Sequence, residues 1–323
     1  MLRLILATLG AFSCAAMQYA VAQEVTLRAV SAFQEGTAFA KPFDDFIKRV
    51  NETGKGVIKI NYIGGPRAMP PLEVGNAVKS GVIDVANVTS NFYSNLMPEA
   101  QALQLSTRPI DELRKNGGWD LLNKLHQEKM NSWYLGSHGW GFRYHLYLTK
   151  EMPGMDLKGY TIRVTPVYRP FFSALGANLV NIAPGEVFTA LERGVIQGYG
   201  WPVVGIFDLG GWQDKTKYRV EPGFYSVEVG LLVNLPKWNS LTAAQKKVLT
   251  DAALEMEADQ RKNNPAYVQG EIERQDKQGI KAITFSGDDK VKWEKMARDT
   301  YWAELEKAAP AEVKKLRPLL ADD

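Results

Sequence analysis

Two arginines twenty residues apart are the side chains of this sequence best suited to hold an anion: Arg143 in GWGFRYHLYLTKE and Arg163 in DLKGYTIRVTP. Arg163 closes an apolar strand-like run and is followed at 166 by proline, so its guanidinium would leave the strand where a cleft is expected. A cation there is costly unless an anion pairs with it. A guanidinium donates two parallel hydrogen bonds to one carboxylate, which fixes orientation as well as charge. The residues themselves leave two readings open, a bound anionic ligand or an internal ion pair with Asp or Glu.

Other chemistries find less support. The three histidines, His126, His138 and His145, offer no pair four residues apart and no HExxH, so no metal site is expected. GxSxG, GxxxxGK[ST] and a GxGxxG after the first strand are all missing, so no catalytic residue and no cofactor is assigned. With 39 basic and 36 acidic side chains and no basic block, nucleic acid is excluded as a partner.

The elements that must position the arginines contain a repeat. EVGNAVKSGVIDVANVT (73–89) and EVFTALERGVIQGYGWP (186–202) share Glu-Val, an Ala three residues later, and Gly-Val-Ile. In each copy Val, Ala and the next apolar residue fall at i, i+3 and i+4, a short amphipathic helix. Gly81 and Gly194 then sit at a left-handed helix stop, and Val-Ile after each reads as the start of a buried strand. Such phrasing is common in α/β chains, and it also fits a structural duplication.

Around the copies the pattern is strand 25–30, helix 38–51 and strand 57–62, then a second run of strands near 133–136, 144–148, 157–164 and 177–180 with a helix at 168–175. This is strand-helix-strand-helix-strand twice, at the spacing of parallel sheets. A strand at 226–234, a helix over 243–276 with Pro265 as a kink, a strand at 281–285 and a helix at 288–305 follow. About 300 residues exceed one core, and no low-complexity linker divides them, so two lobes joined by crossing elements are expected. In such an α/β design ligands sit beyond the carboxyl ends of the strands, between the lobes.

Residues 1–22 read as a cleaved export signal, with Arg3, an apolar run and Ala20-Val21-Ala22. Cys14 would be an acylation site in a lipoprotein, but Ala11-Phe12-Ser13 fits that poorly; cleavage after Ala22 leaves no cysteine.

At this point the chain resembles a known family, the solute receptors of tripartite ATP-independent periplasmic (TRAP) transporters of DctP type. The matching segments are DLKGYTIRV (156–164), EVFTALERGVIQG (186–198) with Trp-Pro after it, GVID (81–84), MPEA (97–100) and KWNSLTAAQKKVLTDAA (237–253), in family order over nearly the whole chain beyond the signal. The resemblance implies an α/β, two-lobe periplasmic-binding-protein fold with central cleft, hinge strands and one long helix spanning both lobes. Lobe I is assigned 23–140 plus 226–268 and lobe II 141–225 plus 269–323. It also implies a periplasmic receptor, monomeric and not an enzyme, that passes an organic acid to a membrane permease. The rival readings are a receptor for an ABC importer and a secreted α/β enzyme acting on a carboxylate.

By the same resemblance Arg163 makes the principal carboxylate pair, and Arg143 takes the place of an assisting arginine found in some sialic-acid receptors. Many members have Gly-Gln-Glu-Asn-Pro where this chain has Gly198-Tyr199-Gly200-Trp201-Pro202, so Trp201 replaces a ligand-binding Asn. An indole has one donor and no acceptor, which disfavours a hydroxyl-rich ligand. Phe33, Phe92, Tyr93, Tyr199 and Trp201 are expected to form an apolar box beside Arg163, with Thr89 and Asn91 on the cleft, suiting a flat aromatic or 2-oxo monocarboxylate. The alternative is that Trp201 and Phe92 only pack at the hinge.

Overall fold

Apolar residues at three- and four-residue intervals make the helix Lys41–Thr53 bury Phe43, Phe46, Ile47 and Val50 against the first of two sheets. The computed structural model describes residues 24–322. The export-signal reading, with Cys14, lies outside the described residues. No helix among them is long and apolar enough to cross a membrane.

The strands are β1 (Val25–Ser31), β2 (Ile58–Gly64), β3 (Val85–Val88), β4 (Ser132–His138), β5 (Tyr144–Leu148), β6 (Thr161–Val164), β7 (Asn178–Asn181), β8 (Gly198–Pro202), β9 (Tyr218–Glu221), β10 (Val229–Asn234) and β11 (Lys281–Thr284). They form a five-stranded sheet in the order β2-β1-β3-β10-β4 and a six-stranded sheet in the order β11-β9-β5-β8-β6-β7. The expected parallel units are present, β1 with β2 and β3, and β6 with β7 and β8. Each sheet also holds an antiparallel intruder, β10 in the first and β5 in the second. The cause is the crossing of the chain. β4 leaves the first sheet at its cleft end and enters the second as β5 from the cleft side, so β5 must run against its neighbours. β9 returns through 222–228 to β10 in the same way.

The two connectors pair with each other. Val227 N–H donates to Phe142 O at 3.0 Å, Tyr144 N–H to Tyr225 O at 3.0 Å, and Arg143 bridges Ser226. Gly139 turns at φ 90°, where a Cβ would also lie 2.9 Å from Val227 Cγ1, so the first connector needs glycine.

Behind both sheets runs the helix Ala243–Lys277, 35 residues, opened by a capping box in which Thr242 and Gln245 satisfy each other's backbone N–H. It is continuous through Pro265. Its first half touches the first sheet, where Glu257 Oε1 accepts from Ser137 N–H at 3.0 Å. Its end touches the second, where Gln275 Nε2 donates to Val203 O at 2.6 Å. A helix not foreseen from the sequence, Pro310–Leu320, closes the chain. Although it lies in the span assigned to lobe II, it packs on the helix Gly118–Met130 and on the 3-10 segment Pro98–Leu105.

The repeat is real in structure, with one change. The helices Val74–Ser80 and Val187–Glu192 stop at Gly81 (φ 79°) and Gly194 (φ 67°), both left-handed. Val82 and Val195 do not open buried strands: they are 57% and 52% exposed, and the strands begin at Val85 and Gly198. Only Ile83 and Ile196 tuck under the helix.

Candidate ligand-binding cleft

Strand β6 carries Arg163 into the space between the sheets with its side chain fully buried. Its Nε donates to Ile182 O at 2.8 Å and its Nη1 to Gly200 O at 3.3 Å. Nη2 is buried and has no partner among the described residues. Among the described residues no Asp or Glu pairs with this guanidinium, so none of them forms the internal ion pair left open by the sequence. Burial pulls its pKa down to about 10, with Tyr168 and Tyr144 acting in the opposite sense, and it stays charged at neutral pH.

Beside it stands Trp201, at the cleft end of β8, its ring 5.8 Å from the guanidinium. The indole Nε1 is a second buried donor without a partner among the described residues. A buried N–H left unpaired costs about 1–3 kcal/mol, so two of them facing one cavity favour an acceptor there.

The opposite wall comes from the first sheet. After β3 the chain winds into a 3-10 segment, Ser90–Phe92, capped by Thr89. Three residues per turn swing successive side chains by about 120°, so Asn91 and Phe92 face the cleft while Tyr93 turns inward. Phe33 follows β1 and packs on Phe92 (6.0 Å between centroids) and on Phe39 (5.4 Å), which meets Trp201 edge-on at 6.3 Å.

These walls enclose a cavity of about 40 Å³ touched by Arg163, Trp201, Tyr144, Asn91 and Phe92. It shares Phe33, Phe39 and Trp201 with a cavity of about 290 Å³, and Asn91, Arg163 and Thr165 with one of about 600 Å³ that reaches Ile182. Phe92 borders all three. The smallest of the three has room for a carboxylate beside Arg163. Among the described residues no group of three or more His, Cys, Asp or Glu side chains is arranged to hold a metal ion.

Six of the expected site residues, Arg163, Trp201, Phe33, Phe92, Asn91 and Thr89, come together here. Three do not. Arg143 lies outside the cleft, lining a separate pocket with Arg298 and Glu294; alternation at the entry to β5 gives the cleft to Tyr144 instead. Tyr199 shares its face of β8 with Trp201 but sits two residues deeper, stacked on Tyr147 at 5.2 Å and bonded to Thr216 Oγ1 at 2.6 Å. Tyr93 is a core residue whose hydroxyl meets His126 Nε2 at 3.0 Å.

Phe39, Tyr144, Thr165 and Tyr168 also line the cavity and were not foreseen. Tyr144 was legible in principle, since strand parity opposes it to Arg143. Tyr168 left a fainter trace in Gly200, where a Cβ would lie 2.6 Å from the Tyr168 ring. Phe39 reads as one more apolar residue of a buried helix face.

Two α/β lobes, paired crossing strands and a buried cation facing an enclosed cavity define a cleft-type solute receptor. The comparisons agree: residues 30–308 match the model of DctP, the bacterial extracellular solute-binding protein family 7, and the chain belongs to that family. It is similar to the monocarboxylate 2-oxoacid-binding periplasmic protein of Nostoc sp. (strain PCC 7120 / SAG 25.82 / UTEX 2576), 26% identical over 239 residues. That match covers 68% of this chain and 64%, under two thirds, of the Nostoc protein. Among solved structures, a TRAP transporter solute-binding protein of Bordetella bronchiseptica RB50 with calcium and picolinate in its site superposes with a TM-score of 0.78 at 22% identity, over 92% of this chain and 91% of that one. One of Desulfovibrio salexigens with bound orotic acid gives 0.79 at 20% identity, over 91% and 97%. These likenesses carry the two-lobe fold.

Proposed function

We propose that this protein is an exported, monomeric receptor that captures an organic monocarboxylate in the periplasm and hands it to a TRAP membrane permease without altering it chemically. The observation that carries the reading is Arg163: a fully buried guanidinium with one nitrogen unpartnered and no acidic partner among the described residues, lining a cavity between the two sheets. A ligand carboxylate accepts from Nη2, and its second oxygen is within the province of Trp201 Nε1. Phe33, Phe39 and Phe92 then take a flat or apolar body, which favours aromatic and 2-oxo acids. The acids bound by the Nostoc and Bordetella proteins support this class.

The one cation lining the small cavity among the described residues, Arg163, stands on the second lobe. The acid therefore docks first on the second lobe, and the first lobe closes over it through the paired connectors, removing the ion pair from solvent. A thermal-shift screen of aromatic, heteroaromatic and 2-oxo monocarboxylates tests the proposal. An acid at about 100 times its Kd stabilises the fold by about 2.7 kcal/mol, and its primary amide does not. Equal stabilisation by the amide, or consumption of the acid during incubation, contradicts it.

A further inference from the structure

Tyr144 faces Arg163 across the small cavity, and the polarity of its hydroxyl is set by a chain of hydrogen bonds that begins outside the site. The chain starts at Glu228, a buried carboxylate that accepts from Ser90 N–H at 3.1 Å, from Ser90 Oγ at 2.8 Å and from the Tyr134 hydroxyl. Ser90 spends its only hydroxyl proton on Glu228, so whatever else meets Ser90 Oγ must donate to it. That group is Gln104 Nε2, at 2.8 Å. The same nitrogen donates to Asn91 Oδ1 at 3.1 Å, and Gln101 Nε2 donates there too at 2.9 Å. With its oxygen so engaged, Asn91 can present only Nδ2 to Tyr144, which accepts at 3.2 Å.

The consequence reaches the cavity. Tyr144 accepts from Asn91, and its neighbour Thr89 accepts from the Asn91 N–H through Oγ1 at 3.4 Å. The two hydroxyls keep both of their own protons. Both residues line the cavity, so a hydroxyl proton not used by Asn91 is left for a ligand there. Together with Arg163 Nη2 and Trp201 Nε1, this arms the site with a third donor.

We propose that the Glu228-Ser90-Gln104-Asn91 chain locks Tyr144 and Thr89 as a donor pair, so that the site selects acids with a hydrogen-bond acceptor beside the carboxylate, an oxo oxygen or a ring nitrogen, over the matching hydroxy acids. A hydroxy acid also offers lone pairs, but at Tyr144 its own proton meets an oxygen that already accepts from Asn91. Thr165 Oγ1, the buried hydroxyl that could take it, belongs to the Arg163 wall. A donor left unpaired in a buried site is the stronger source of discrimination. Tyr144 and Asn91 are then specificity-determining residues, and Glu228 and Ser90 are positioning residues that act through them. The inference rests on the carboxylate reading above.

The test uses two matched series, pyruvate, lactate and propionate, and phenylpyruvate, phenyllactate and hydrocinnamate, titrated calorimetrically into the full mature chain. The parent binds the oxo acid of at least one series about tenfold or more tighter than its hydroxy acid. Tyr144→Phe weakens the oxo acid about tenfold and leaves propionate or hydrocinnamate within about twofold. Asn91→Asp turns the Tyr144 proton back toward position 91 and frees its oxygen to accept. The new charge weakens every acid, but the oxo-to-hydroxy ratio, which charge does not move, falls by about tenfold. If the Asp variant does not fold, Tyr144→Phe alone decides. A parent that binds acids without preferring the oxo form, or variants that weaken all three acids alike, overturn the locked donor while the receptor reading stands. A parent that binds none of the six overturns the oxo preference, and the receptor reading falls with it only if the wider screen of monocarboxylates is also empty.

Discussion

Segments 73–89 and 186–202 fold alike as far as their strands: a short helix, a left-handed glycine, an exposed valine and a buried isoleucine. Beyond that point they part. At the third strand position the first copy has Asn87, whose amide donates to Ser31 Oγ at 3.0 Å and Phe39 O at 2.9 Å and meets His138 Nε2 at 2.9 Å. The second has Gly200, against which the Tyr168 ring lies flat. The first copy then runs into the 3-10 segment that presents Asn91 and Phe92; the second ends in Trp201 beside Arg163. The shared wording builds two matching scaffolds, and the unshared residues lead one to Asn91 and Phe92 and end the other in Trp201 beside the Arg163 of a neighbouring strand.

Making the copies alike breaks the site. Gly200→Asn puts a Cβ 2.6 Å from a ring already packed against Tyr144 and Phe172. Overpacking of this kind costs about 3 kcal/mol, the largest loss of folding stability expected here, and would appear as a lowered midpoint in urea together with loss of acid binding.

A second contrast is in response to acid. Behind the first wall, burial lowers the pKa of His126 to about 4 and of His138 to about 3. The unfolded chain takes up these protons near 6.5 and the folded one only at the lower values, so their stability contribution is complete above pH 6.5 and is lost as pH falls. Each group costs about 1.4 kcal/mol per pH unit in that window. His126→Gln should therefore remove a loss of about 2 kcal/mol between pH 7 and pH 5, read from unfolding curves at the two values. A profile as steep as the parent's would mean that His126 is not held neutral.

Smaller effects separate scaffold from chemistry. Gly81→Ala and Gly194→Ala each force a side chain into the left-handed region, at about 1 kcal/mol, and nothing lies within 4 Å of the Cβ at 194 to add to it. Equal costs in thermal unfolding would show that the two stops are equivalent; unequal costs would break the duplication. Smallest of all is Arg143→Ala, which should leave ligand affinity within about twofold, because Arg143 lines a different pocket.

These contrasts mark how far the sequence could be read. The helices Lys41–Thr53, Ala243–Lys277 and Gly287–Ala308, the glycine stops and the exit of Arg163 from its strand follow from local spacing and composition, whereas the helices Gly118–Met130 and Pro310–Leu320 were not foreseen. Strand direction did not, because the reversal of β5 and β10 depends on where the chain crosses between sheets, a non-local fact. The residues that lie off the cavity do so for different reasons. Tyr93 is one step past Phe92 on a 3-10 turn and swings into the core. Tyr199 shares the face of Trp201 but sits two residues deeper in the sheet, and Arg143, expected from the family resemblance, is turned to the other face by strand alternation. Phe39 and Tyr168 come from elements whose spacing is that of ordinary core.

Arg163 carries the account, and calorimetric titration of the parent, Arg163→Lys and Arg163→Ala with the best acid from the screen tests it most directly, with folding verified by circular dichroism. Truncating one side of a buried hydrogen-bonded charge pair costs about 2–5 kcal/mol, so the alanine variant should bind roughly 30-fold to several thousand-fold more weakly. Lysine keeps the charge but not the planar fork, and should bind measurably worse than the parent. A folded Arg163→Ala protein that holds the acid as tightly as the parent would contradict the assignment of this cleft.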